Sequence, residues 1–392
     1  MNITWITRSF LDYRIPVFAE LDKLCDHHLS LIYDAEKEVI PERCQNKIRQ
    51  ILGERAIGLS GEIRLTGINY APVDTVVHRN IRIPYQPNLL KTARETKPDV
   101  TVSDGFFQWT YAPLYLRFRN RIPHVMCYEP TKITEKHAQI FRTWYRKFAS
   151  RWIDHICCNG SLCKEYTLTL GYPENQISLG HMAADSEQLA KACSTITDDT
   201  VRSFRSKHGL ENTLVFLFVG RLIERKGLKQ LLEAWAAAKL DAALLIAGDG
   251  QERNFLEDYC SQHGIHAVFA GSIDYDSIPI FYRAADCLII PTLQDNWSLV
   301  VPEGMACGLP VATSIYNGCH PELIHPENGW TFDPYNTNAT ADVLKSIVAH
   351  GKDLPSMGEQ SRRIIASYTP RHAATAIYNA CQQAISHCGP RH

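Results

Sequence analysis

A chain of 392 residues, 45% of them hydrophobic, exceeds what one core usually organises, so two domains are the default expectation. Its 41 basic and 42 acidic residues leave a formal charge of −1, which excludes a global electrostatic pull toward nucleic acid and requires any charged partner to meet a local patch. The thirteen cysteines are odd in number and several sit inside apolar runs (Cys127, Cys157, Cys158, Cys287), which reads as a reduced, cytoplasmic chain with buried thiols; Cys157, Cys158 and Cys163 lack zinc-type spacing.

The amino-terminal stretch carries Arg8, Asp12 and Arg14, so it offers neither the apolar centre of a signal peptide nor a membrane span. Residues 2–6 predict a strand, and 13–24 a helix with Ile15, Phe18, Leu21 and Leu24 on one face and Pro16 in its first turn. The loop between them, which includes Arg8 and Ser9, lies at the carboxyl end of a strand, where open α/β sheets bind ligands. Further strands are expected at 28–33, 74–78, 99–103, 123–127 and 155–158, with helical composition at 88–97. Strands alternating with helices predict a parallel, doubly wound sheet. The strand at 123–127 delivers Glu129 at its carboxyl end.

Between Arg117 and Arg151 nine Lys or Arg stand against two Glu, and Phe118, Phe141, Trp144, Tyr145, Phe148 and then Trp152 are interleaved. This basic, aromatic segment suits an amphipathic helix lying in a membrane interface, and no nucleic-acid-binding motif accompanies it. Residues 186–212 lose strand character and are dominated by charged and polar side chains, among them Asp198, Asp199, Arg202, Arg205 and Lys207, which places a crossover between domains there.

Leu214 to Val219 is an apolar strand, followed at once by Gly220-Arg221-Leu222-Ile223-Glu224-Arg225-Lys226-Gly227 and a helix using Leu228, Leu231, Leu232 and Trp235. The loop is neither a Walker A nor a G-x-G-x-x-G sequence. Fixed cations of this kind stabilise the charge of a bound phosphate group. Asp274-Tyr275-Asp276 precedes a predicted helix and reads as its cap rather than as a metal site. Strand and turn recur at 244–250 and 268–273. The run Cys287 to Ile290 then breaks at Pro291, a polar loop carries Asp295, Asn296 and Ser298, and Pro302 and Glu303 open a helix that Gly308 closes. Amides at such a helix start face an anion, and Asp295 and Glu303 place two carboxylates beside it for sugar hydroxyls. A last helix is expected over 368–385.

The string D-N-W-S-L-V-V-P-E-G-M-A-C-G-L-P-V from Asp295 resembles the E-x7-E motif of the retaining, nucleotide-sugar-dependent glycosyltransferases of family four. Asp295 stands where that family usually has its first Glu and Ser298 replaces a common glycine, whereas Trp297, Leu299, Glu303, Gly308 and Pro310 fit the pattern. The 220–227 loop closely resembles the family's G-R-L-x-x-x-K-G loop, Asn317-Gly318 with Glu322 is similar to a turn beside the sugar, and Tyr13-Arg14-Ile15-Pro16 resembles a subgroup's entry to the first helix. The first loop lacks the glycine-rich turn common in relatives.

The resemblance implies the GT-B architecture: α/β, with two facing Rossmann-like doubly wound domains. It assigns 1–190 to the acceptor domain, 191–212 to a linker, 213–367 to the nucleotide-sugar domain, and 368–392 to a helix crossing back to the first domain. The implied catalytic set is Asp295, Glu303, Arg221, Lys226 and Glu129. Implied donor contacts are Gly220, Arg221, Lys226, Ser272, Ile273, Trp297, Ser298, Leu299, Val300 and Glu303. Implied acceptor contacts are Arg8, Ser9, Arg14 and Glu129. The expected co-substrate is a nucleotide-diphosphate sugar, with no metal and no cofactor, and the expected acceptor a glycan or lipid-linked molecule reached by peripheral membrane contact through 117–152. Three rival readings remain: a non-catalytic nucleotide-sugar-binding partner of a glycosyltransferase complex, motivated by the shortened acid at Asp295 and the glycine-free first loop; a GT-B epimerase or phosphorylase, which should lack the full Arg221, Lys226, Asp295 and Glu303 set; and a glycosyltransferase acting on a soluble small-molecule acceptor.

Overall fold

A computed structural model describes residues 1–64, 84–106, 108–136, 138–184 and 186–388; the strand expected at 74–78 lies outside them. They divide into two compact units, one made of 1–64, 84–184 and 368–388, the other of 186–367.

The first unit contains β1 (Ile3–Ile6), α1 (Ile15–Leu24), β2 (Leu29–Asp34), α2 (Glu42–Leu52), β3 (Ala56–Leu59), β4 (Ile63–Arg64), β5 (Pro84–Tyr85), α3 (Leu89–Glu95), β6 (Val100–Asp104), α4 (Tyr111–Asn120), β7 (His124–Tyr128), α5 (Ile140–Ala149), β8 (His155–Cys158), α6 (Ser161–Thr169) and β9 (Ile177–Leu179). Seven of these strands form a parallel sheet ordered β3-β2-β1-β6-β7-β8-β9, with Ile3–Ile6 in register between Leu29–Ile32 and Val100–Ser103. Near-continuous apolar runs such as Ile3-Thr4-Trp5-Ile6 are what a sheet covered on both faces demands. Alternate residues supply the two cores. Ile3, Trp5, Leu31 and Val102 pack with Phe18 and Leu21 of α1, while Ile6 and Ile32 pack with Leu89, Trp109 and Leu116 on the other face.

The second unit contains α7 (Ser186–Ser194), α8 (Asp198–Lys207), β10 (Leu214–Val219), α9 (Leu228–Ala238), β11 (Ala242–Ala247), α10 (Arg253–His263), β12 (Ala267–Gly271), α11 (Ile278–Arg283), β13 (Cys287–Ile290), α12 (Val300–Ala306), β14 (Val311–Ser314), α13 (His320–Leu323), β15 (Gly329–Phe332), α14 (Thr337–Ala349) and α15 (Leu354–Ile365). Its sheet is also parallel, ordered β12-β11-β10-β13-β14-β15. The final helix, α16 (Pro370–Cys388), belongs to the first unit. Its stripe of Ala373, Ala374, Ile377, Ala380 and Ala384 is small enough to lie close against α1 and joins that core.

The segment expected as a linker at 191–212 is instead mostly helical and packs on the second unit, whose boundary falls near 186 rather than 190. Cys193 of α7 places its Sγ 2.9 Å from that of Cys307 at the end of α12. Arg205 of α8 pairs with Asp286 at 2.7 Å and donates to the Ala284 carbonyl, and Phe204 meets Phe281 edge-on. These helices bury few residues each, Leu189 and Cys193 on α7 and none on α8, so their exposed faces dominate the composition and imitate a linker.

In each sheet the strand order reverses once, between β1 and β6 and between β10 and β13. Loops leaving the carboxyl ends of strands at such a switch point diverge and open a crevice. In the first unit these are the loops after Ile6 and Asp104; in the second they are the 220–227 loop and the 291–299 loop.

Candidate active site

In the second unit the two switch-point loops are stitched together. Leu293 N donates to the Arg225 carbonyl at 2.9 Å, and Thr292 Oγ1 reaches the same oxygen at 3.1 Å. Gly227 sits at φ +73, and a Cβ there would run into the Pro291 carbonyl, so only glycine lets the loops approach this closely. The result brings Lys226 Nζ to 2.8 Å from Asp295 Oδ2, with both side chains less than a fifth exposed. Arg221, five residues earlier in the same loop, is exposed.

Asp295 is fixed at its backbone as well. Its N–H donates to the Tyr316 carbonyl (3.2 Å), its carbonyl accepts from Gly318 N (2.9 Å), and its Oδ1 accepts from Trp297 N (3.3 Å). Asn317, fully buried, ties the same loop down from the next strand: its Oδ1 accepts from Ser298 N at 3.2 Å and its Nδ2 donates to Thr313 Oγ1 at 3.0 Å. The helix α12 begins at Val300, two residues before the expected start at Pro302. Ser298 N is taken by Asn317, and Val301 N and Glu303 N by the carbonyls of Ser298 and Leu299, which narrows the amides expected to meet an anion to those of Leu299 and Val300. Ser298 and Trp297 are themselves buried, and the Trp297 indole N–H has no acceptor.

Glu303 lies on α12 with its Oε2 accepting from Tyr282 Oη at 3.0 Å. Burial pushes its carboxyl up to about 7, an effect the Tyr282 hydrogen bond partly offsets. Ser272 and Ile273 follow β12, the first exposed and the second half-buried. Asp274-Tyr275-Asp276 precedes α11, but no side chain caps that helix; the Asp274 carbonyl accepts from Ser277 N instead.

In the first unit, Arg14 departs from expectation. Read from the sequence as an acceptor contact, it is 4% exposed, donates to Asp104 Oδ1 (3.0 Å) and the His181 carbonyl (2.8 Å), and lies over the Trp5 ring. Trp5 Nε1 donates to the other Asp104 oxygen at 2.9 Å. A guanidinium is tolerated at such depth only when its donors are matched in this way, so Arg14 is an internal pin rather than a group presented to a substrate. His181 completes the network: Nε2 donates to the Tyr128 carbonyl (3.0 Å) and Nδ1 accepts from Arg14 (3.2 Å), a tautomer that fits its neutral state, with burial first and Arg14 second lowering its pKa to about 3. Glu129, about a third exposed, points an oxygen to 3.9 Å from Arg14. Arg8 pairs at 2.8 Å with the buried Glu62, which also accepts from Trp109 Nε1, and Ser9 accepts from Thr7 Oγ1 through its carbonyl.

Two family models match this chain, Glycosyltransferase Family 4 over residues 27–188 and Glycosyl transferases group 1 over 201–364. Among curated proteins it is 35% identical over 144 residues to "Uncharacterized glycosyltransferase MJ1607" of Methanocaldococcus jannaschii, covering 36% of this chain and 37% of that one. It is 24% identical over 312 residues to the sulfoquinovosyl transferase SQD2 of Arabidopsis thaliana, covering 76% and 59%. These matches therefore span less than two thirds of either relative. The crystal structure of Anabaena Alr3699/HepE in complex with UDP superposes with a TM-score of 0.72 at 15% identity, over 97% of this chain and 99% of that one. The chain belongs to the family 4-type GT-B glycosyltransferases.

Within this GT-B chain several site residues escaped sequence reading. Tyr282 sits on a short helix 21 positions before Glu303 and carries no local signal for its partner. Asp104 ends a buried strand in the same manner as Glu129, and that position was the available clue. Asn317 was legible as a turn residue, but not as the clamp on Ser298. Among the described residues, no three His, Cys, Asp or Glu side chains of the glycosyltransferase converge as a metal site, and no helix is long and apolar enough to cross a membrane.

Proposed function

We propose that this chain is a retaining, metal-independent hexosyltransferase that moves a sugar from a nucleotide-diphosphate donor to a hydroxyl acceptor. The acceptor we infer is a lipid-linked or cell-surface polysaccharide intermediate, of the kind used in lipopolysaccharide assembly, met at the cytoplasmic face of a membrane. The observation that carries the donor half is the Lys226–Asp295 pair, 2.8 Å apart across two switch-point loops, followed on the same loop and helix by Glu303. A nucleotide donor is also supported by the UDP in the structurally similar Anabaena protein.

In this reading the bond between the sugar's anomeric carbon and the diphosphate oxygen breaks, and its electron pair leaves with the phosphate. Arg221, Lys226 and the amides of Leu299 and Val300 offset that charge, an arrangement that is effective because the donors are already aligned before reaction. Donor phosphate competes with Asp295 for the Lys226 ammonium, which frees the carboxylate to accept sugar hydroxyls. Glu303 accepts from the ribose, and Ser272 and Ile273 meet the base. The acceptor oxygen bonds the anomeric carbon on the face the phosphate leaves, and its proton passes to the departing phosphate oxygen. Glu129, at the carboxyl end of β7, orients the acceptor hydroxyl, with Arg8 and Ser9 on the loop after β1.

The test is incubation with a panel of nucleotide sugars, following nucleotide-diphosphate release and the anomeric configuration of the product by NMR. Release from one donor with the configuration kept is expected. No release from any donor, with or without lipid-linked and soluble acceptors, overturns the transferase reading, and an inverted product overturns the retaining mechanism.

A further inference from the structure

The first unit carries an apolar ridge that none of the donor chemistry uses. On α5 and the end of α4, Ile140 is 90% exposed, Phe118 66%, Trp144 65%, Phe141 45% and Phe148 39%. Isolated apolar side chains on a surface are ordinary, but these are contiguous. Trp144 stacks on Phe148 at 5.5 Å, Phe148 meets Trp152 at 5.0 Å, and Trp152 meets Phe118 at 5.9 Å.

Among the described residues of 117–152, the exposed charged side chains are all basic. Arg119, Arg121, Lys147 and Arg151 are exposed. The nearby acids Glu135 and Asp154 are largely buried and already paired, with Arg146 at 2.8 Å and Arg117 at 2.7 Å. Arg146, which the sequence placed with the patch, turns inward to donate to Tyr166 Oη and anchors α5, leaving the opposite side of the helix to face out.

We propose that this ridge is a docking surface for an anionic bilayer, with Ile140, Trp144 and Phe118 entering the interface and Arg119, Arg121, Lys147 and Arg151 meeting lipid phosphates. It deepens the acceptor half of the reading above and rests on it only for its biological use. Aromatic rings with an aliphatic tip suit the headgroup boundary, and each cation near an anionic surface adds attraction. Single-stranded nucleic acid needs open ring faces for its bases. Here Phe148 has Trp144 stacked on it and Arg151 over its ring at 5.4 Å, so that ring is already occupied.

The experiment is co-sedimentation of the full chain with phosphatidylcholine vesicles and with phosphatidylcholine–phosphatidylglycerol vesicles, at low and high salt. It compares the native protein with Ile140→Ser/Trp144→Ser, with Arg119→Glu/Arg121→Glu/Lys147→Glu, and with Phe255→Ser on the second unit as a control. Native protein and control should sediment with anionic vesicles only and release at high salt. The charge variant should lose roughly a hundredfold in affinity and the apolar variant should fail to hold. Melting curves and donor hydrolysis without vesicles, unchanged in both variants, separate this outcome from misfolding. Equal binding to both vesicle types, or native-like binding by either folded variant, overturns the proposal. So does concentration-dependent self-association lost with Ile140→Ser/Trp144→Ser in a protein that ignores vesicles, which assigns the ridge to a second copy. Vesicle binding by a protein that releases no nucleotide would refute the transferase reading and leave the docking surface standing.

Discussion

Replacing Glu303 by Gln isolates one buried carboxyl whose ionisation the ligand-free fold opposes. Burial raises its pKa from 4.5 to about 7, and at ~1.4 kcal/mol per pH unit its ionisation costs the fold about 3 kcal/mol. Because the folded value lies above the unfolded one, the folded chain keeps a proton that the unfolded chain loses as pH rises from 4.5. This contribution to stability is therefore complete below 4.5, falls across the interval and stays lost above 7. Glutamine keeps an acceptor for Tyr282 Oη but cannot ionise, so Glu303→Gln should match the native protein near pH 4.5, exceed its stability increasingly as pH rises, and level off above about pH 7. For a unit of this size that advantage is a melting temperature higher by about 6 °C or more. The same variant should bind nucleotide roughly tenfold or more weakly, since a charged hydrogen-bond acceptor for the ribose is gone. The assay is a pair of thermal melts across pH 4.5 to 8.5, with nucleotide titrations at pH 8. A pH-independent difference, or a variant less stable than native at pH 8, refutes the argument.

Lys226→Ala should reduce donor turnover by roughly two to three orders of magnitude, the loss expected for one charge-stabilising donor; native rates in a folded variant would remove Lys226 from the diphosphate site. Unlike an exposed lysine, it also leaves Asp295 unpaired at 15% exposure, so denaturant titration should show a cost of about 1 kcal/mol or more. Arg14→Met should destabilise the first unit by about 3–5 kcal/mol by removing the cation paired with Asp104; a well-folded variant with only a raised acceptor KM would restore the substrate-contact role. Activity should persist in EDTA, because cations and amides are placed to offset the leaving charge; loss that Mn²⁺ or Mg²⁺ restores would count against this site.

The sequence alone determined the two-sheet architecture, because β1, β10, β11 and β13 are short apolar runs that only a doubly covered parallel sheet can bury. It also located the 220–227 and 291–303 loops, since glycine, proline and charge punctuate those strands at their carboxyl ends. What local pattern could not carry was which side of a helix faces inward. Arg14 and Arg146 looked like available cations and are internal pins, while α7 and α8 looked like a linker and are packed helices. Nor could it pair groups distant in the chain. Lys226 and Asp295 are 69 residues apart and meet because β10 and β13 are neighbours where the strand order reverses. Glu303 owes its raised pKa to burial near Tyr282 on α11. Charge and hydrogen-bonding capacity are properties of a residue, but their energies are set by solvent exclusion and by the partner within ~3 Å, and both exist only once the chain has folded.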